Sequence, residues 1–198
     1  MSIVTLVSGG LDSSLMSLLA AEDGLETHPL FINYGQINRR REWRACQYVH
    51  RVHGLQRPLR LTMPGWGKQF VSGLTDATRD IMLDAFSPNR NLLFLVAGAA
   101  HAYQVGADAV AIGLLDDSAH LFADQTEAFL NQTEALLCRS LGRPIRIAAP
   151  LMDFRKADVI AAAEQRGLAG TYSCHAGGVE PCGVCIACRE FRFERKEG

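Results

Sequence analysis

The chain has 198 residues, 48% of them hydrophobic and 21% charged, with a formal net charge of −1. That size and composition suit one domain with a real core, and the near-neutral balance argues against broad electrostatic binding of nucleic acid. Met1-Ser2-Ile3 has no basic n-region and the longest apolar tract, Leu92 to Ala100, is too short for a bilayer, so a cytoplasmic protein without a membrane partner is expected.

The first stretch organises the rest. Ile3 to Val7 is a short apolar run that predicts a buried strand, and it stops at Ser8-Gly9-Gly10. Past Asp12, the residues Leu15, Leu18 and Leu19 recur at helical spacing. Strand, glycine turn and helix together point backbone N–H groups at one spot, which is an anion site. Gly9 and Gly10 let the backbone approach the anion, and Ser8, Ser13 and Ser14 add hydroxyls. A bare carboxylate repels phosphate, so Asp12 fits either as an N-cap or as a ligand for phosphate-bound Mg²⁺. The loop lacks the Gly-x-x-x-x-Gly-Lys-[Ser/Thr] pattern of a Walker A motif.

Pro29 to Tyr34 predicts a second strand, closed by Gly35, and a charged helix follows from about Asn38 to His53. Leu59 to Leu61 is a third strand. Met63 to Ser87 lacks periodicity and is expected as a long loop with about one turn of helix, a length often tied to function. Pro88-Asn89-Arg90-Asn91 opens an apolar helix from Leu92 to Val105. Ala109 to Gly113 is a fourth strand, Asp124 to Leu141 a helix, Arg143 to Ala148 a fifth strand, and Phe154 to Arg166 a helix. Alternating strands and helices imply a doubly wound parallel five-stranded α/β sheet, with ligands beyond the carboxyl ends of the strands.

Cys174, Cys182, Cys185 and Cys188 place four thiols within fifteen residues among Gly177, Gly178, Pro181 and Gly183. That density favours a closed Cys₄ zinc site, with an iron–sulfur cluster as the rival. His175 is expected as a loop residue, and Cys46 and Cys138 as ordinary packed residues. The expected division is a nucleotide-binding domain over 1–168 and a zinc-binding segment over 169–198.

The loop Ser8 to Ser14 resembles the pyrophosphate loop of the PP-loop ATP pyrophosphatase family, whose fold is adenine nucleotide alpha hydrolase-like. Taken with the cysteine tail, the chain resembles the 7-cyano-7-deazaguanine synthase, or QueC-like, branch. Further likeness lies in Phe31-Ile32-Asn33-Tyr34-Gly35-Gln36 with Arg39, Arg40 and Glu42, in Pro88-Asn89-Arg90-Asn91, in Ala149-Pro150-Leu151 with Lys156, and in Thr171-Tyr172-Ser173-Cys174. The resemblance implies an ATP-dependent ligase that adenylates the carboxylate of 7-carboxy-7-deazaguanine and passes it to ammonia, giving the amide and then the nitrile. It implies ATP, Mg²⁺ and Zn²⁺ as cofactors.

On the same footing, Ser8, Gly9, Gly10, Leu11, Asp12, Ser13, Ser14, Asn33, Tyr34 and Gly113 would hold the nucleotide. Asp12, Arg90 and Lys156 would be catalytic, with Arg90 or Lys156 neutralising the α-phosphate or the substrate carboxylate. Gln36, Asn91, Ser118, Phe122 and Asp124 would meet the deazapurine. Outside the family context, Arg90 is a helix-start surface residue and Lys156 an exposed helix residue. The family's Asp and Tyr-Pro-Asp-Cys-Arg stretch departs here to Ser118 and to Phe122-Ala123-Asp124-Gln125-Thr126, and Asn33 replaces an Asp. A second reading follows, in which the activated acid is joined to a different amine, a protein amine included. A PP-loop tRNA-modifying enzyme is a third. The resemblance alone suggests a homodimer.

Overall fold

The computed structural model describes residues 1–116 and 122–191. Five parallel strands form one sheet: β1 (Ser2–Val7), β2 (Glu26–Asn33), β3 (Leu59–Thr62), β4 (Ala109–Ala111) and β5 (Arg146–Ala148), in the order β3-β2-β1-β4-β5. Strand order reverses between β1 and β4, which is where an open α/β sheet leaves a crevice for ligands.

Residue alternation along β1 feeds two cores. Val4 and Leu6 face helices α4 (Arg90–Val105) and α5 (Glu127–Leu141), where Leu95, Ala99, Leu130 and Leu137 complete the packing. Ile3 faces the opposite layer with Leu15 of α1 (Leu11–Glu22) and Val159 and Ala163 of α6 (Lys156–Gln165). On that side α2 (Arg39–Val52) covers β2, with Phe31, Cys46 and Trp43 beside Val7. Thr5 is wholly buried, and its hydroxyl meets that of Ser17 at 3.1 Å, so the one polar residue inside β1 is satisfied.

Local chemistry moves several predicted boundaries. Residues 63–87 are more structured than expected: α3 (Pro64–Gln69) is followed by turns in which Asp80 Oδ1 accepts from the N–H groups of Met82 and Leu83 at 2.7 and 2.8 Å. The expected helix from Asp124 starts later, at Glu127. Thr126 Oγ1 accepts from Phe129 N at 3.2 Å and caps α5, leaving Asp124 in a preceding 3₁₀ turn, Ala123–Gln125. The fifth strand starts at Arg146, not Arg143: Pro144 has no N–H to give, and the first backbone bond to the neighbouring edge is Arg146 N to Asp108 O at 3.0 Å. Among the described residues no helix is long and apolar enough to cross a membrane.

Helix α4 lies close on the sheet because residue 98 is glycine. A Cβ there would stand 2.7 Å from Cγ1 of Val110, itself wholly buried on β4, and 3.3 Å from Leu6 Cδ2. Gly98→Val is expected to destabilise the fold by about 2 kcal/mol or more through overpacking. The urea midpoint measures it.

Candidate active site

The end of β1 and the start of α1 form a loop that is closed on itself. Ser8 N donates to Ser13 Oγ at 3.1 Å, the two hydroxyls lie 3.0 Å apart, and Gly10 N donates to Ser8 Oγ at 3.2 Å. Gly9 has φ +81°, and a Cβ on it would collide with the α2 backbone at Glu42 and Cys46. Both facts require glycine there. The Gly9 carbonyl accepts from Tyr172 N at 2.8 Å, which ties the chain just ahead of the cysteines to the loop. Gly113 crosses beneath, so close that a Cβ would sit 3.3 Å from Ser13 N.

Asp12 is not the N-cap. Gly10 holds that position without a side-chain bond. The Asp12 carboxylate instead receives Lys156 Nζ at 2.7 and 2.9 Å, and Glu190 Oε2 lies 3.1 Å from the same ammonium. Lys156, expected as an exposed helix residue outside the family context, has a side chain only 14% exposed. Glu190 ends the last short helix, α7 (Ile186–Glu190), and the ring of Phe191 sits 4.7 Å from the ammonium.

These groups open on one cavity of about 300 Å³. That is the lower bound of typical small-molecule sites, about 300–1,000 Å³. Of the candidate residues, Ser8, Gly10, Asp12, Ser13, Tyr34, Gln36, Arg90, Asn91, Gly113, Phe122 and Lys156 line it. Gly9, Leu11, Ser14, Asn33 and Asp124 do not, and serve the frame. Leu11 packs in the core. Asn33 Oδ1 accepts from Gly35 N at 3.2 Å, and Asp124 holds Asn91 through its carbonyl at 3.1 Å. Ser118 lies outside the described residues. Asn89 turns through φ +57°, a conformation asparagine tolerates, and aims the first turn of α4 at the cavity. Burial raises the Tyr34 phenol and the charge of nearby Arg90 opposes it, while the Arg90 guanidinium carbon lies 5.9 Å from the Phe94 ring centroid. Its Nε is buried and lacks a protein partner among the described residues.

Sequence reasoning gave no role to Glu42 or His175, and both face the same cavity. Glu42 accepts from Gln36 Nε2 at 3.0 Å and from Asn38 Nδ2 at 2.9 Å. Burial pushes its carboxyl up to about 7, against those bonds and the charge of Arg90. His175 sits in a turn of the cysteine segment, as expected, and is half-buried with its Nδ1 enclosed. Burial first, then Arg90 and Lys156, lower its imidazole to about 4, so it is neutral at physiological pH. Glu42 carried a signal in its place within the quoted block around Tyr34. His175 carried none, because its burial depends on the fold.

The four cysteines converge. Their Sγ atoms all lie within 4.8 Å of one another, with Cys182 and Cys188 at 3.9 Å. Zn–S bonds of about 2.3 Å in a tetrahedron put sulfurs about 3.8 Å apart, so the set fits a tetrahedral metal. Backbone N–H groups of Cys182 and Cys185 point at neighbouring sulfurs at 3.3 and 3.4 Å, which favours thiolates. Asn38 Nδ2 donates to Cys174 O at 3.1 Å and Arg41 Nε to Gly177 O at 2.9 Å, so α2 holds the segment from the side.

The fold and the Ser8–Ser14 loop define a PP-loop protein of the adenine nucleotide alpha hydrolase-like class. Among solved structures, the U34-tRNA thiolase NcsA from Methanococcus maripaludis with its 4Fe–4S cluster aligns over 97% of this chain and 64% of its own, at TM-score 0.58 and 19% identity. NMN synthetase from Francisella tularensis aligns over 88% of this chain and 67% of its own, at TM-score 0.51 and 15% identity. These likenesses speak for the fold.

The sequence model of the family described as queuosine biosynthesis protein QueC matches residues 2–197, and the chain belongs to that family. A 7-cyano-7-deazaguanine synthase from Nostoc sp. is 34% identical over 96% of this chain and 90% of the relative. Another, from Methanobrevibacter smithii, is 27% identical over 93% and 88%.

Two outcomes are expected. The folded Glu42 carboxyl keeps its proton up to about 7, whereas an exposed glutamate loses it near 4.5. The folded state therefore binds more protons between those values, and stability falls as pH rises through them, by up to about 3 kcal/mol, then levels off. Urea unfolding from pH 4.5 to 8 should show that slope in the native chain and a flatter profile in Glu42→Gln. Separately, Cys185→Ser should lower bound metal below one per chain by elemental analysis and open residues 174–190 to limited proteolysis.

Proposed function

We propose that the chain is an ATP-dependent ligase-type enzyme that adenylates the carboxylate of 7-carboxy-7-deazaguanine, or a close analogue, and passes the acyl group to ammonia. The observation that carries this reading is the cavity itself. The Ser8–Ser14 loop forms one wall, Lys156 and Arg90 both face the interior, and the chain belongs to the QueC family.

A carboxylate is a poor electrophile until one of its oxygens becomes part of a good leaving group. Attack on the α-phosphorus of ATP breaks the α–β bond, forms the acyl-adenylate and releases pyrophosphate. The loop and the α1 N-terminus cradle the departing pyrophosphate. Lys156 and Arg90 offset negative charge on the phosphates and the acid. Asn33, Tyr34 and Gly113 frame the nucleotide, Gln36, Asn91 and Phe122 meet the deazapurine, and Asp124 holds Asn91 in place for it. Ammonia then displaces AMP to give the amide, and a second activation dehydrates it to the nitrile. Asp12 is the residue that would hold Mg²⁺, which supplies charge neutralisation on the phosphates. Cys174, Cys182, Cys185 and Cys188 would hold a structural Zn²⁺ that closes the segment 169–198 onto the domain 1–168.

One observation favours a second acceptor. Phe122 N donates to Gln125 Oε1 at 3.0 Å and Thr126 caps α5. Neither residue brings the thiol or the cation that the family pattern carries there. The acceptor in this reading is an amine other than ammonia, on a protein or a small molecule.

Mass spectrometry of products from the purified protein with Mg-ATP, 7-carboxy-7-deazaguanine and ammonium tests the proposal. Substrate-dependent AMP and pyrophosphate with the nitrile support the first reading. Pyrophosphate release that stops at the adenylate supports the second, while release that stops at the amide keeps ammonia as acceptor and removes only the nitrile step. No substrate-dependent pyrophosphate overturns both. Lys156→Met should lower the turnover number by 10-fold or more, on the order of losing one charge-stabilising donor.

A further inference from the structure

Lys156 has one more anionic partner than its proposed task explains. Asp12 grips the ammonium with both oxygens, at 2.7 and 2.9 Å. Glu190 adds a single contact at 3.1 Å from the end of α7, two residues beyond Cys188. At Lys156 one cation faces two carboxylates, beside a loop built to bind an anion. A polyphosphate that reaches this ammonium must compete with one of them.

The two carboxylates are not equivalent. The Asp12 side chain is 29% exposed and held at two points, while that of Glu190 is 41% exposed and held at one. Glu190 is the partner that leaves at least cost. A carboxylate oxygen and a phosphate oxygen accept the same charge-assisted hydrogen bond from an ammonium. One can therefore replace the other while Lys156 keeps its full set of anionic contacts.

We infer that Glu190 is a positioning residue acting through Lys156. In the nucleotide-free protein its carboxylate occupies the place on Nζ that a phosphate oxygen takes when ATP binds. It holds the flexible lysine stem ordered over the loop, and it competes with the nucleotide until the exchange occurs. The inference rests on the proposed ATP chemistry.

Calorimetric titration of ATP with Mg²⁺ into the metal-loaded protein tests it, comparing the native chain with Glu190→Gln and Glu190→Ala. Both variants should bind ATP about twofold to fivefold more tightly at low salt, the scale of one partly exposed charge pair. The gap should close as salt rises. Metal content and thermal midpoint should match the native protein. A merely structural role would weaken binding instead, so unchanged or weaker affinity in both variants overturns the inference. Weaker affinity with a steeper Mg²⁺ requirement also overturns it and assigns Glu190 to the cation. No ATP binding by the native chain overturns the nucleotide proposal as well, whereas native binding without a gain in the variants overturns this inference alone.

Discussion

The site depends on one backbone crossing. At Gly9 the chain leaves β1, presses against α2 at Glu42 and Cys46, and accepts a hydrogen bond from Tyr172 N at 2.8 Å. Three parts of the molecule meet there: the central strand, the helix whose Asn38 and Arg41 brace the cysteine segment, and the segment itself. None can shift without moving the loop. The loop's shape is consequently set before a ligand arrives, and binding need not spend free energy on ordering it.

Around that crossing the charges are arranged in separate pairs. Lys156 is matched by Asp12 and Glu190 on one wall. Arg90 lines the same cavity beside Tyr34 and Phe94, as does Glu42, whose carboxyl burial raises to about 7. His175, on the same cavity, stays neutral because burial disfavours its charge and the charges of Arg90 and Lys156 add to that. A cavity that carries two cations among mixed polar and apolar groups can meet a polyanion and a carboxylate together.

How much of this was legible in the sequence follows the range of the interactions. The strands and helices came through because the apolar run Ile3–Val7 and the helical spacing after Asp12 are local. The glycine loop and the four cysteines came through because few other structures use such residues so densely. The start of α5 was misplaced because Thr126 and Asp124 are both good caps, and only the bond to Phe129 N decides between them. The Asp12–Lys156 pair joins residues 144 apart, so no window along the chain could reveal that Asp12 is engaged by a lysine and does not cap its helix. His175 and Glu190 gain their positions from the folding back of the cysteine segment, and glutamate beside a cysteine is otherwise an unremarked surface residue.

The sheet also fixes an order of assembly. β1 is first in the chain yet central in space, paired with β2 directly and with β4 from Ile3 to Ala109. Its β2 edge can close early, across a single helical crossover. Its β4 edge stays open until a segment about a hundred residues later arrives, and that pairing carries a larger loop-closure cost. Until then a strand made of Ile3, Val4, Leu6 and Val7 presents unpaired backbone along one side, the surface on which strands of other chains can add. The crevice between β1 and β4, where an open α/β sheet leaves room for ligands, is thus the seam joined across the longest stretch of chain.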